Sequence, residues 1–282
     1  MIGQVRRIYE LQRLSHSPVD GMKKIVAFTS GKGGTGKTFL SLNIAYLLAE
    51  KNKRVLYIDL DPNLSNSSIM INHVPGLTIY DFFKKKKLFS EVITEYTTNL
   101  HFIFGSSGKT DFPLIDKSHI AFLFDQIRLF ADRYDIVILD TASGAGDEVI
   151  DIILNADVNV IVTNPEPTAV MDAYVMIKLL NKNRYNKRKY ILVNRCNNLE
   201  EGNTTFYNLS SAAGHFLKES DMFLLGVAYS GPEVSQSIIE QNLLVKKYPH
   251  NPISIQIAEA SSRLIEYVQM ANIMQASEEG NR

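Results

Sequence analysis

Short apolar runs rich in Val, Ile, Leu, Phe and Tyr alternate along this chain with longer segments whose apolar residues return every three or four positions. Runs of the first kind predict strands and segments of the second predict helices. Strands are expected near Lys24–Thr29, Arg54–Ile58, His101–Phe104, Asp135–Leu139, Asn159–Thr163, Tyr190–Asn194 and Phe223–Ala228. Helices are expected near Lys37–Lys51, Ala121–Asp132, Asp147–Asn155, Thr168–Asn181, Thr205–Lys218, Pro232–Gln241 and Ser254–Ile273. Pro249 and Pro252 separate the last helix from its predecessor.

Runs such as Ile136-Val137-Ile138-Leu139 are apolar without alternation, as a strand must be when both faces of its sheet are covered. The pattern therefore predicts an α/β fold: a doubly wound, mainly parallel sheet with helices on both faces, in three layers. The first residues stand apart, because Val5, Ile8, Tyr9, Leu11 and Leu14 form a short helical pattern that the breaker stretch Ser15–Gly21 cuts off from the first strand. The expected organisation is an N-terminal arm over 1–21, one domain over 22–275 and a tail over 276–282.

Composition narrows the function. With 30 Lys and Arg against 30 Asp and Glu, the 282-residue chain has no net charge and offers no field for a polyanion as a whole. Its 45% hydrophobic and 21% charged content suits a buried core. The single cysteine, Cys196, has no partner for an internal disulfide, and the six histidines are scattered without a pair spaced for a metal. No apolar signal segment or membrane-spanning stretch is read, so the expected location is the cytoplasm.

Chemistry enters at Gly31-Lys32-Gly33-Gly34-Thr35-Gly36-Lys37-Thr38, which matches the eight-position P-loop pattern between an expected strand and an expected helix. Its glycines let backbone N–H groups converge on phosphate oxygens, and the following helix points its positive end at the same place. Lys37 is expected to neutralise the terminal phosphates and Thr38 to offer a hydroxyl to Mg²⁺. Two more strands end in acids, Asp59 and Asp61 in one case and Asp140 in the other. In sheets of this kind ligands sit beyond the carboxyl ends of the strands, so these acids should gather near the phosphates. Turn or capping duty is the alternative for each acid taken singly.

Lys32, an extra lysine directly after the first loop glycine, makes Gly31–Thr38 resemble the deviant P-loop ATPases typified by MinD and ParA at every position. That resemblance implies ATP and Mg²⁺ as ligands and an ATP-sandwich homodimer in which Lys32 reaches the other subunit's nucleotide. Asp59-Leu60-Asp61-Pro62 is similar to the first switch of that family, which implies that Asp61 orients the attacking water and Asp59 supports magnesium. Asp140-Thr141-Ala142-Ser143-Gly144 resembles its second switch, with Asp140 holding magnesium through water and Ser143 standing where the family commonly has alanine. Asn164-Pro165-Glu166-Pro167-Thr168-Ala169-Val170-Met171-Asp172-Ala173-Tyr174 is similar to the signature of the FlhG (FleN, YlxH) regulators of flagellar number and placement. Asn194 matches the family position that contacts adenine, and Arg195 and Pro232 are carried over with it. The catalytic set implied is Lys32, Lys37 and Asp61.

Further expectations attach to the flanks. Gly3-Gln4-Val5-Arg6-Arg7-Ile8-Tyr9 keeps the glutamine and apolar spacing of the FlhG element that activates the GTPase FlhF, but lacks its acid and its terminal arginine. Activation of a partner GTPase and an ordinary arm both stay open. Ile257, Leu264, Ile265 and Val268 recur at helical spacing with Arg263 as the lone nearby cation. A final core helix is the reading, and peripheral binding at the inner membrane face is the alternative. Lys84–Lys87 and the cations between Arg184 and Lys189 read as solvated ends, with DNA contact as the alternative.

The sequence thus points to a slow, partner-stimulated ATPase that dimerises with ATP and regulates flagella. The expected partners are FlhF, flagellar switch proteins or a transcriptional activator. The rival readings are a ParA-type partition ATPase on DNA and a nucleotide-bound interaction protein that does not hydrolyse.

Overall fold

Val26 and Phe28 face one side of the first strand and Ile25 and Ala27 the other, and all four are buried. The same division holds along the neighbouring strands, so apolar layers are needed above and below the sheet. The structure, a computed structural model, describes residues 25–61, 66–106 and 115–279. The expected N-terminal arm therefore lies outside the described residues.

Among the described residues eight strands form one sheet: β1 (Ile25–Thr29), β2 (Val55–Asp59), β3 (Thr94–Thr97), β4 (Leu100–Ile103), β5 (Ile136–Asp140), β6 (Val158–Thr163), β7 (Lys189–Cys196) and β8 (Met222–Tyr229). Their order is β3-β4-β2-β5-β1-β6-β7-β8. Every pairing is parallel except β3 with β4. The longer helices are α1 (Lys37–Glu50), α2 (Lys117–Leu129), α3 (Asp147–Asn155), α4 (Pro167–Lys182), α5 (Leu199–Leu217), α6 (Pro232–Ile239) and α7 (Pro252–Glu279). One apolar layer joins α1 and α7 to the sheet through Leu40, Ile44, Leu48, Ile257, Ala260 and Leu264. The opposite face is covered by α2 around Phe124 and by α3, α4 and α5 around Ile153, Ile177 and Leu209.

The doubly wound fold expected from the apolar pattern is the one observed, and the differences have local causes. The antiparallel edge strand β3 was not expected, since Thr94-Glu95-Tyr96-Thr97 is short, polar and only half buried. Helix α5 begins six residues before its expected start because Asn198 caps it, its side-chain oxygen accepting from Glu201 N at 2.8 Å. Helix α2 likewise starts early, at the cap formed by Asp116. Helix α7 continues to Glu279, into the segment expected to be tail.

Strand β8 lies at the sheet edge, an all-uncharged run that would invite pairing with another chain. Side chains of α7 take up two of its backbone groups: Arg263 donates to Leu225 O at 3.2 Å, and Tyr229 N donates to Gln256 Oε1 at 3.0 Å. The apolar stripe of α7 is buried through Val268, as a core helix requires, and among the described residues no helix is long and apolar enough to cross a membrane. The lysine run follows a helical turn at Ile79–Phe83, and Phe82, Phe83 and Phe89 around it pack inward.

Truncating Leu264, which has no exposed surface, should cost about 2–5 kcal/mol through lost burial and the cavity left behind. Urea denaturation of Leu264→Ala measures this; an unchanged midpoint would show that α7 contributes nothing to the core.

Candidate functional site

Strand order places β1 between β5 and β6, so chain crossings open a crevice at the carboxyl end of β1. The loop from Ser30 to Gly36 fills that crevice and leads into α1 at Lys37. Gly34 and Gly36 take φ values of +82° and +89°, a region that side chains disfavour. A Cβ on Gly36 would also strike the Asn194 amide, and one on Gly31 would strike the backbone of Asp172 in α4. The glycine spacing thus answers two steric demands as well as the turn itself.

The loop is anchored at several points. Asn194, near the end of β7, donates from Nδ2 to Thr35 O at 2.8 Å. Ser30 Oγ donates to Lys32 O at 3.0 Å, and Gly144 N donates to Ser30 O at 2.9 Å. The second contact ties the turn after β5 to the start of the loop. Below the loop, Lys37 Nζ lies 2.7 Å from Asp140 Oδ1, with the side chains only 5% and 1% exposed. Thr38 Oγ1 donates to Asp140 Oδ2 at 2.6 Å, and Ser41 Oγ donates to Oδ1 at 3.4 Å. The Ser41 hydroxyl is also 2.9 Å from that of Tyr57, whose pKa burial pushes well above its ordinary value. Tyr57 is therefore a neutral phenol that closes the floor of the site.

Asp59 and Asp140 are register partners on adjacent strands, which brings two acids side by side. Asp59 accepts from Ser67 Oγ at 2.5 Å and from Asp61 N at 3.1 Å, so it sets the turn that carries the half-buried Asp61. Pro62, the other end of that motif, is outside the described residues. Lys32 stands at the rim, where its Nζ is 2.8 Å from Glu166 Oε2 and donates to Thr168 Oγ1 at 2.9 Å. The hydrogen bond and charge of Lys32 hold the Glu166 carboxyl below its usual range. That bond therefore persists above the ordinary carboxylate range and is lost as pH falls through the lowered value.

The structure brings together Gly31, Lys32, Gly33, Gly34, Thr35, Gly36, Lys37, Thr38, Asp140 and Asn194, with Asp59 and Asp61 beside them. Arg195 is exposed with φ +57°, and its charge adds, after that of Lys32, to the lowering of the Glu166 carboxyl. Pro232 opens α6 and is exposed, and no described contact ties it to the loop. Ser41, Tyr57, Ser67, Glu166 and Thr168 are additional members that the motif left unassigned. Glu166 and Thr168 lie a few residues past the carboxyl end of β6, the level at which such sheets bind ligands, but nothing in the sequence names Lys32 as their partner.

The residues fit a magnesium-bound phosphate chain. Thr35 Oγ1 is buried with no hydrogen-bond partner, which is costly unless a ligand oxygen meets it. Thr38 and the acids offer hard oxygen donors. Among the described residues no group of three or more His, Cys, Asp or Glu could hold a metal by itself. Magnesium bound through one or two protein oxygens and the phosphates needs no such cage.

The AAA domain family matches residues 23–192. The chain is 27% identical over 249 residues to the antiactivator FleN of Pseudomonas aeruginosa, covering 88% of this chain and 89% of that protein. It is 28% identical over 245 residues to the flagellum site-determining protein YlxH of Helicobacter pylori, covering 87% and 83%. Identity to the septum site-determining protein MinD of Helicobacter pylori is 31% over 185 residues, or 62% and 67%. The solved MinD of Pyrococcus horikoshii, complexed with Mg-ADP, superposes with a TM-score of 0.73 at 20% identity over 88% of this chain and 98% of that one.

Replacing Lys37 by methionine strands the Asp140 carboxylate in its buried site and should destabilise the protein by about 3 kcal/mol, most of it recovered when Asp140→Asn is added. Chemical denaturation of the single and double variants reads the coupling, and identical midpoints for wild type and Lys37→Met would remove it.

Proposed function

The chain belongs to the AAA domain family, as a MinD-type member, and from that premise we propose that it is an ATP-dependent dimerising switch that regulates flagellar number or placement. The observation that carries the reading is the buried Lys37–Asp140 pair, with Thr38 bonded to it, under a glycine loop with a second lysine, Lys32, at its rim. A one-subunit site needs only Lys37 for the terminal phosphates, so a rim lysine is in place to serve a nucleotide held opposite. FleN and YlxH support the flagellar role by their names and by their coverage of nearly the whole chain. The partners proposed are FlhF, flagellar switch proteins or a transcriptional activator.

The nucleotide is ATP with Mg²⁺. Lys37 exchanges Asp140 for phosphate oxygens, and the loop N–H groups and Thr35 hydroxyl donate to the same chain of phosphates. Thr38, Asp140 and Asp59 would hold Mg²⁺, which when bound neutralises charge on the terminal phosphates. Asn194 keeps the loop in place and borders the base. Lys32 leaves Glu166 and Thr168, an exposed pair worth little in water, for the triphosphate of the second subunit. Asp61 orients the attacking water, and loss of the terminal phosphate removes the charge that joined the subunits. Turnover is slow until a partner stabilises the closed pair.

DNA partition is disfavoured by how the second basic stretch is used. Lys189 is buried against Glu219 at 2.7 Å, and Lys187 donates to Ala156 O at 2.6 Å.

Sedimentation with ATP tests the switch. Asp61→Ala should keep its ATP-dependent association with hydrolysis reduced at least about a hundredfold, whereas Lys32→Ala should bind ATP yet associate no further when it is added. A monomeric Asp61→Ala protein in saturating ATP contradicts the proposal.

A further inference from the structure

Helix α5 presents an unusual face to solvent. From Gly202 through Leu217 it contains no Asp, Glu, Lys or Arg, although solvent-facing helix positions ordinarily carry such residues. At about 100° per residue, Glu200, Asn203, Thr204, Tyr207, Ser211 and Gly214 fall within one outward stripe of about 100°. Gly202, Thr205, Leu209 and Ala213 face the core instead. Tyr207 is 68% exposed.

The middle of this stripe is made of poor helix formers, and Gly214 is the poorest. Packing inside the chain does not demand that glycine: a Cβ there would meet only Glu219 O, at an ordinary 3.6 Å. Gly202 shows the contrast, since a Cβ on it would collide with Val227. A residue that weakens its helix, and that the fold does not require, is explained by something approaching from outside.

We propose that the outward face of α5 docks on the same face of a second copy, antiparallel, about a two-fold axis near Asn208. In a self-contact each residue near the axis meets its own kind, so charge there is self-repelling and an uncharged centre is required. Opposite charges flank the stripe, the exposed Glu200 in its first turn and the exposed Lys218 as the left-handed cap residue just past the end of the helix. Antiparallel alignment sets Glu200 of each copy against Lys218 of the other. In the same alignment Tyr207 lies over Ser211 and Gly214 of the second copy, where small side chains leave room for its ring. Parallel alignment would oppose like charges at both ends, and an anionic surface would find no cation between them.

This contact is centred on the middle of α5, on a face of the sheet, and only its Glu200 end, just after β7, approaches the carboxyl ends of the strands. It needs no nucleotide, and the two contacts together make an open chain of dimers.

Sedimentation velocity on the full chain without nucleotide tests it, apart from any failure of the ATP-dependent dimer. The wild type should show concentration-dependent dimers that Lys32→Ala leaves intact. Glu200→Lys and Lys218→Glu should each weaken association at least about tenfold, and the double charge swap should restore it. Gly214→Gln should weaken association without lowering the melting temperature, because any residue but proline improves that helix position. A wild type that stays monomeric, or a double swap no tighter than the single variants, overturns the proposal.

Discussion

The arrangement of the nucleotide end of the molecule depends on one buried ion pair, Lys37 with Asp140. Two charges removed from water are stable only when each also finds hydrogen-bond partners. Asp140 meets that condition through Thr38 and Ser41, and Ser41 is fixed in turn by Tyr57. Helix α1, β2 and β5 are thereby locked to a common point. A pair so expensive to leave unmatched keeps the cation directly beneath the loop, where phosphate charge can take over from the carboxylate.

The sheet order explains why that pair can exist. Lys37 comes from the chain just after β1 and Asp140 from the end of β5, more than a hundred residues later, yet β1 and β5 are neighbours with Phe28 opposite Asp140. The next pairing adds Asp59 opposite Asp140. On the other side β6 and β7 deliver Glu166 and Asn194 to the rim. Parallel pairing makes all these strands end at the same level, so residues scattered along the sequence converge without any long loop having to hold them.

How much of this was legible follows from the kind of signal each feature leaves. The strands and the phosphate loop were readable because unbroken apolar runs and the Gly31–Thr38 spacing reflect local demands. The acids Asp59, Asp61 and Asp140 were readable as strand ends. The roles of Ser41, Tyr57, Glu166 and Thr168 were not, because each depends on which strands are neighbours. Tyr57 looks like any aromatic in an apolar strand until Ser41 is seen beside it. Edge strand β3 escaped because four residues, three half-buried and Glu95 exposed, carry no period that distinguishes them from a loop. The sequence also could not show that Gly31 serves α4 as well as the turn, since Asp172 is its neighbour only in the fold.

That last contact shapes how the site communicates. Gly31 sits so close to the backbone of Asp172 that not even a methyl group fits between them. Lys32, the next residue, is bonded to Glu166 and Thr168 at the start of the same helix. A ligand that draws Lys32 away removes two bonds from the first turn of α4 and alters a packed contact one turn further along. Close-packed elements do not absorb such changes by small deformations spread through the chain. Helix α4 packs along α5 and shares with it the layer around Ile177 and Leu209. The loop that holds phosphate is thus mechanically continuous with an outer helical layer. Binding at the crevice and the docking proposed for that layer would therefore act on the same packed pair of helices.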